Sequence, residues 1–309
     1  VSDTSVVRDG VIEVDTRLGG WEKRTAGYLI TGPAPVLIET GSQSSVPVVK
    51  RALAALGIGP EDLAGVAVTH IHLDHAGGVG DIAAAFPNAR VYVHELGARH
   101  LADPSRLIAS AERVYGELLD GLYGRLDPTP SERITVLGEG DVIDVGAGRS
   151  IRAIDSPGHA KHHLGFLDSD SGLLFAGDAL GVKLPGGGVL RPATPPPDFD
   201  LDLALASMSR FREAGPTRIC LAHYGLIDQA PAELLEEAAD RLTRWAEIAL
   251  DAYQKGTDIA DALMANFGED FSPMTAEEKD RVEMLNGIHS NANGLKRWLE
   301  TTGHPHPHH

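Results

Sequence analysis

Residues 69–78 read THIHLDHAGG, which places His70, His72, Asp74 and His75 within six positions. Imidazole nitrogens and carboxylate oxygens are ligands for zinc and for other divalent transition metals. A short histidine cluster is an incomplete site, because a metal centre needs ligands gathered from several loops. Three further residues have the right type and position: His159 in DSPGHAKHH, Asp178 closing LLFAGD, and His223 closing ICLAH. Each of them, like His70, stands where an apolar strand-like run ends, so all can project from one rim of a sheet structure. An aspartate at the end of such a run needs a partner, a cap or a metal.

The set divides into two groups. His70, His72 and His159 offer one ion three neutral imidazoles, and Asp74, His75 and His223 offer a second ion a carboxylate and two imidazoles. Asp178, with two oxygens, can bridge. Two ions about 3.5–4 Å apart share a water, lower its pKa towards neutrality and yield a bridging hydroxide nucleophile. Zinc suits these donors best, with iron or manganese as alternatives.

The elements that must position these ligands follow from apolar patterning. Runs 11–14, 28–31, 36–40, 65–70 and 90–94 read as strands bounded by glycine or proline. A helix is expected over 44–56, from the spacing of Val48, Val49, Leu53 and Leu56, and a helical insert over 96–123. Runs 134–137, 150–159, 164–168, 172–178 and 218–223 form a second strand group, with a helix over 201–215 stopped by Gly215-Pro216. This layout predicts two sheets packed together with helices outside. From Pro231 the pattern is helical: Leu234, Ala238, Leu242, Trp245 and Ala249 form a stripe, and Thr275 with Glu278 forms a capping box. Asp200 is placed to cap the helix that follows the proline-rich RPATPPPDFD segment.

Composition narrows the partners. A formal net charge of −17 argues against nucleic-acid phosphate as partner. The single cysteine, Cys220, permits no intrachain disulfide and sits in an apolar run as core filler. No membrane-length apolar stretch and no signal-like start is present, so a cytoplasmic location, a small-molecule substrate and no membrane partner are expected. Homo-oligomerisation is left open. The terminal HPHPHH, residues 304–309, is read as a flexible tail outside the site.

The combined pattern of His70-x-His72-x-Asp74-His75, His159, Asp178 and His223 resembles the metallo-β-lactamase superfamily in its hydrolase form, over about residues 8–230. The resemblance implies an α/β fold, a four-layer αββα sandwich with a dinuclear site at one edge, and the ligand grouping given above. The expected layout is an αββα domain over 1–230, with a helical insert, and a helical C-terminal extension over 231–303 packed on it.

Within the superfamily, Asp178 stands where thiolate-type zinc β-lactamases carry cysteine, and His72 where flavodiiron proteins carry glutamate. Glyoxalase II-like hydrolases are the nearest branch, although the tail lacks a basic cluster beyond Lys296 and Arg297. Acyl-homoserine lactonases use a tyrosine near the metal, which makes Tyr28 and Tyr224 candidate substrate contacts, together with His163 beyond the ligand His159. His94, His100, His162 and His289 are expected to be structural, near-site or solvent-facing, and Glu39 is a candidate to orient a ligand from behind. The expected activity is metal-dependent hydrolysis of a small ester, lactone, thioester or phosphoester, with Asp74 orienting the nucleophile or passing a proton. The alternative is a persulfide dioxygenase-like iron oxidoreductase in the same fold.

Overall fold

The computed structural model describes residues 3–8, 10–116, 118–185, 189–271 and 274–303; the 304–309 tail falls outside them. The first sheet contains β1 (Thr4–Arg8), β2 (Val11–Asp15), β3 (Ala26–Ile30), β4 (Val36–Ile38), β5 (Gly65–Ala67), β6 (Arg90–His94) and β7 (Ile134–Leu137), in that spatial order. Strands β1 to β4 pair antiparallel, and β4 to β7 run parallel. The second sheet is ordered β13 (Gly225–Leu226), β12 (Arg218–Leu221), β11 (Leu173–Phe175), β10 (Leu164–Asp168), β9 (Arg149–Asp155), β8 (Val142–Gly146).

Alternation along the strands makes the layers. In β11, Leu173 and Phe175 point between the sheets, whereas Leu174 points to the outer helices; in β12, Cys220 faces inward while Ile219 and Leu221 face outward. Tyr28, Ile30, Val36 and Ile38 of the first sheet meet Leu164, Phe166 and Phe175 of the second in this central layer. The first sheet's outer face is covered by α1 (Val46–Ala55), α2 (Leu73–Ala76) and α3 (Val79–Ala85), with Val49, Leu53 and Ile82 buried against Leu37 and Val66.

The helical insert is three helices, α4 (Glu95–Ala102), α5 (Ser105–Tyr115) and α6 (Leu118–Leu122). Pro104, which lacks an N–H donor, and Gly116, at φ +52°, divide what the periodicity suggests as one helical stretch. On the second sheet's outer face lie α7 (Leu201–Glu213), α8 (Pro231–Lys255), α9 (Ile259–Phe267), α10 (Ala276–Asn286) and α11 (Ile288–Thr301).

Local chemistry sets the ends of these helices. Asp200 accepts from Leu203 N at 3.0 Å to cap α7. Pro231 opens α8 and Gly256, in the left-handed region, closes it. The Thr275–Glu278 capping box starts α10. Leu234, Ala238, Leu242, Trp245 and Ala249 of α8 are all buried, and burial of each large aliphatic side chain stabilises by about 1.5–3 kcal/mol. The architecture is an αββα sandwich with additional C-terminal helices. Among the described residues, no helix is long and apolar enough to cross a membrane.

Several strands are shorter than their apolar runs. β5 ends at Ala67, β9 at Asp155, β11 at Phe175 and β12 at Leu221, so His70, His159, Asp178 and His223 lie in the loops just beyond strand ends. The loops free these side chains from the strict up-and-down alternation of the sheet. β1, β8 and β13 go unremarked in the sequence pattern; β1 is half-exposed or exposed along its whole length.

Candidate metal centre

His70 to His75 come from the loop after β5 and from α2, on the first sheet; His159, Asp178 and His223 come from the second. Two glycines allow the close approach. A Cβ on Gly77 would lie 2.3 Å from Leu73 O and 3.0 Å from Ser42 Cα, where the loop turns back against its neighbour. Gly158, at φ +139°, packs where a Cβ would lie 2.4 Å from Ala204 Cα and N, which lets the chain before His159 press onto α7.

Two groups of donor atoms converge. His72 Nδ1 lies 2.9 Å from His70 Nε2 and 3.1 Å from His159 Nε2. In the second group, His223 Nε2 lies 3.3 Å from His75 Nε2 and 3.3 Å from Asp74 Oδ2. Asp178 stands between the groups: Oδ1 is 3.5 Å from His75 Nε2 and 3.4 Å from His223 Nε2, while Oδ2 is 3.6 Å from His159 Nε2. Metal–ligand bonds of about 2.0–2.1 Å in tetrahedral geometry put donor atoms about 3.3–3.4 Å apart, so this spacing fits a metal in each group. Asp178 Oδ1 is buried without a hydrogen-bond partner, an arrangement that is costly unless a cation meets it.

The opposite edges of the rings are held from behind. His159 Nδ1 donates to Ala193 O at 3.0 Å and His223 Nδ1 to Arg24 O at 2.6 Å, which leaves each Nε2 as the free donor to metal. His70 Nδ1 lies 3.0 Å from Thr69 Oγ1, and His75 Nδ1 faces Glu39 Oε2 at 3.5 Å. His72 alone turns Nδ1 inward.

Burial and the crowd of neighbouring rings hold His70 and His72 well below the ordinary imidazole pKa, in the neutral form that ligates metal. Burial opposes ionisation of Asp74 and Asp178, but His75 and His223 outweigh it and keep both carboxylates below the usual range.

The candidate substrate contacts fall in different places. Tyr28 is buried between the sheets and its hydroxyl donates to Leu221 O at 2.6 Å. Tyr224 donates to Glu13 Oε1 at 2.7 Å and lines a separate cleft with Ser5 and Leu226. His163 is fully buried, with Nδ1 2.8 Å from Ser156 Oγ and Nε2 accepting from Asp178 N at 3.2 Å; it supports the Asp178 loop from beneath. Its neighbour His162 faces the other way and lines the cavity over the metal donors, its pKa lowered to about 4 chiefly by burial.

That cavity holds about 500 Å3, within the range of small-molecule sites. His72, Asp74, His159, Asp178 and His223 line it, so the metal centre opens directly into it. Pro195 to Pro197 form one wall, and Asn286 and Asn291 of the C-terminal helices form another. Asn291 Oδ1 accepts from Thr194 N at 2.5 Å, and Asn286 Nδ2 donates to Pro192 O at 3.1 Å. The proline loop is therefore clasped by α10 and α11. Sequence reasoning passes over Asn286, Asn291 and the insert residues Arg99 and Arg106, because polar residues on amphipathic helices read as a solvated face.

Residues 20–223 match the family model of the metallo-beta-lactamase superfamily. A relative in Sulfurisphaera tokodaii, metallo-beta-lactamase fold-containing protein ST1585, is 31% identical over 190 residues, 60% of this chain and 69% of that protein. The crystal structure of ST1585 superposes with a TM-score of 0.67 at 24% identity, covering 93% of this chain and 98% of that one. A hydroxyacylglutathione hydrolase of Rhodopseudomonas palustris is 31% identical over 156 residues, 50% of this chain and 47% of its own length. An atrochrysone carboxyl ACP thioesterase of Claviceps purpurea is 23% identical over 262 residues, 81% of this chain and 69% of that protein. The chain belongs to the metallo-beta-lactamase superfamily. Within that family, the clustered ligands make it a metal-dependent enzyme with two candidate metal-binding groups.

Proposed function

We propose that the protein is a dinuclear metal-dependent hydrolase of small esters, with thioesters as the favoured bond type. One observation carries the dinuclear part: Asp178 presents Oδ1 to His75 and His223 and Oδ2 to His159, so its carboxylate would serve both donor groups. His70, His72 and His159 would hold one ion, and Asp74, His75 and His223 the other. Zinc is the expected metal, and the same nitrogen and oxygen donors also suit iron or manganese. Such ions, when bound, acidify coordinated water and polarise a substrate carbonyl. The side chains do the rest. Asp74, ionised beside His223, is placed to orient a nucleophile or take its proton.

Relatives named as a hydroxyacylglutathione hydrolase and an ACP thioesterase favour thioesters over lactones or phosphoesters. An iron oxidoreductase of the persulfide dioxygenase type is the competing reading; the near-equal approach of Asp74 to His75 and His223, 3.6 and 3.3 Å, favours a complete second group instead.

The test combines metal analysis with a substrate panel. Purified protein should contain close to two equivalents of metal and hydrolyse a thioester or ester, and Asp178→Ala should lose metal and about 100-fold or more of the rate. Iron at one equivalent with oxygen uptake on a persulfide, or full activity in Asp178→Ala, would sink the proposal.

A further inference from the structure

The charge around the cavity runs against the charge of the chain. The protein carries a formal −17, yet apart from the metal-centre aspartates the ionised residues lining the cavity are Arg99, Arg106, Lys161 and Asp198. Lys161 Nζ and Asp198 Oδ1 lie 2.9 Å apart and neutralise one another. No described carboxylate lies within 4.0 Å of either Arg99 or Arg106. Asp103 is near enough to interact with Arg106 but makes no ion pair with it, so neither guanidinium at the mouth is directly paired.

Their placement is organised. Arg99 Nε donates to His100 Nε2 at 3.2 Å, which requires that ring nitrogen to be an acceptor and anchors one side of the guanidinium. Burial, then Arg99 and Arg106, hold His100 below the ordinary imidazole pKa, against a weaker pull from Asp103; its ring is a neutral prop between the arginines. The turn carrying them is fixed at both ends. His94 Nδ1 accepts from Leu96 N at 3.1 Å to cap α4, and Asp103 Oδ1 accepts from Ser105 N at 3.2 Å where α5 begins.

The arginines also have a side. His162 packs 6.0 Å from the His72 ring and 6.3 Å from the His70 ring, and His100 lies among its neighbours. Successive neighbours His72, His162, His100 and Arg99 link the three-histidine group to the arginines. Leu73, Leu96 and Leu107 supply apolar surface between the metal donors and the mouth.

We propose that the cavity takes an acyl thioester or ester bearing a phosphate or carboxylate remote from the scissile bond, and that Arg99 and Arg106 bind that anionic group. The proposal rests on the hydrolase reading for the scissile bond but not for the charged end. Apolar surface holds the intervening chain, while the two guanidiniums supply the planar forks suited to phosphate and carboxylate. Their role is specificity: they touch the carrier end of the substrate and not the reacting atoms.

The experiment uses three thioesters of one acyl group, hexanoyl. The N-acetylcysteamine thioester is neutral, the glutathione thioester carries carboxylates and the coenzyme A thioester carries phosphates. For metal-loaded wild type, kcat/KM should favour at least one charged thioester, and added salt should erode that preference. Arg99→Gln/Arg106→Gln should cut the charged-to-neutral selectivity ratio about 10-fold or more, mainly through KM, and Arg99→Lys/Arg106→Lys should restore part of it. Preference for glutathione identifies a carboxylate group, and preference for coenzyme A a phosphate. A selectivity ratio unmoved by the double Gln change overturns the proposal.

Calorimetric binding of free coenzyme A and free glutathione separates this idea from the hydrolase reading. Should no thioester be cleaved, arginine-dependent binding of either compound still supports the anionic subsite. Absence of such binding counts against it. Both arginines are exposed, and a thermal melt confirms that the variants fold.

Discussion

Glu39 Oε2 stands 3.5 Å behind Nδ1 of His75, and the other oxygen of the same carboxylate accepts from Thr69 N at 3.1 Å. One buried carboxylate thus fixes the backbone immediately before His70 and the ring orientation of His75. Glu39 itself is held at φ +64°, a conformation that costs a non-glycine residue about 1 kcal/mol or more and persists because the surroundings fix it.

Glu39→Gln should weaken metal affinity about 10–100-fold while the fold survives, since the amide keeps the size but loses the charge that orients His75. A chelator-competition titration measures this. Wild-type affinity in the variant would show that Glu39 only shapes the loop.

Gly158→Ala should lower stability by about 2–4 kcal/mol, because an added Cβ meets the α7 backbone at 2.4 Å and neither side is a flexible chain end. The next residue is His159, so metal retention should fall with it. Thermal melting and metal analysis on the same preparation test both effects, and an unchanged melting temperature would contradict the packing argument.

Asn291→Ala should cost about 2–4 kcal/mol, since it strips bonds from Thr194 N and from Asn286 Oδ1 in a buried setting. Ala193, which accepts from His159, adjoins Thr194, so turnover should fall further than stability alone explains. Activity per folded molecule, after correction by denaturant titration, is the readout. A loss that disappears on correction would assign Asn291 to stability only.

Acid should weaken the Arg149–Asp168 pair, a bidentate contact at 2.8 and 2.7 Å between the neighbouring strands β9 and β10 of the second sheet. Burial raises the Asp168 pKa, but bonds from Arg149 and Ser171 prevail and hold it below the ordinary carboxylate value. Its stabilising contribution is complete above the unfolded-state pKa of about 4 and is lost as pH falls through the lowered folded value. Asp168→Asn should therefore be less stable than wild type at neutral pH, with the gap closing below about pH 4. A gap independent of pH would remove the charge from the explanation.

The candidate metal ligands are legible in the sequence because His70, His159, Asp178 and His223 each follow an apolar run that must be a buried strand, and strands that end together bring their next residues together. Helix boundaries at Asp200 and Thr275 are legible for a related reason: a cap is a local bond, readable from residues three apart. The roles of Tyr28 and His163 are not legible. Their hydroxyl and ring nitrogens are satisfied by Leu221, Ser156 and Asp178, partners that adjoin only after both sheets have closed. Asn286 and Asn291 escape for the opposite reason, since their amides look solvated until α11 packs on the proline loop. The division of 96–123 into three helices is written in Pro104 and Gly116, whose local chemistry outweighs an unbroken apolar spacing.

His70, His72, Asp74 and His75 ride on the first sheet, while His159, Asp178 and His223 ride on the second. Neither half of the chain contains either candidate donor group whole, so metal binding there would report closure of the whole sandwich. Separately expressed halves should each be poor metal binders and should reassemble in a metal-dependent way, with bound metal acting as a removable rivet across the seam.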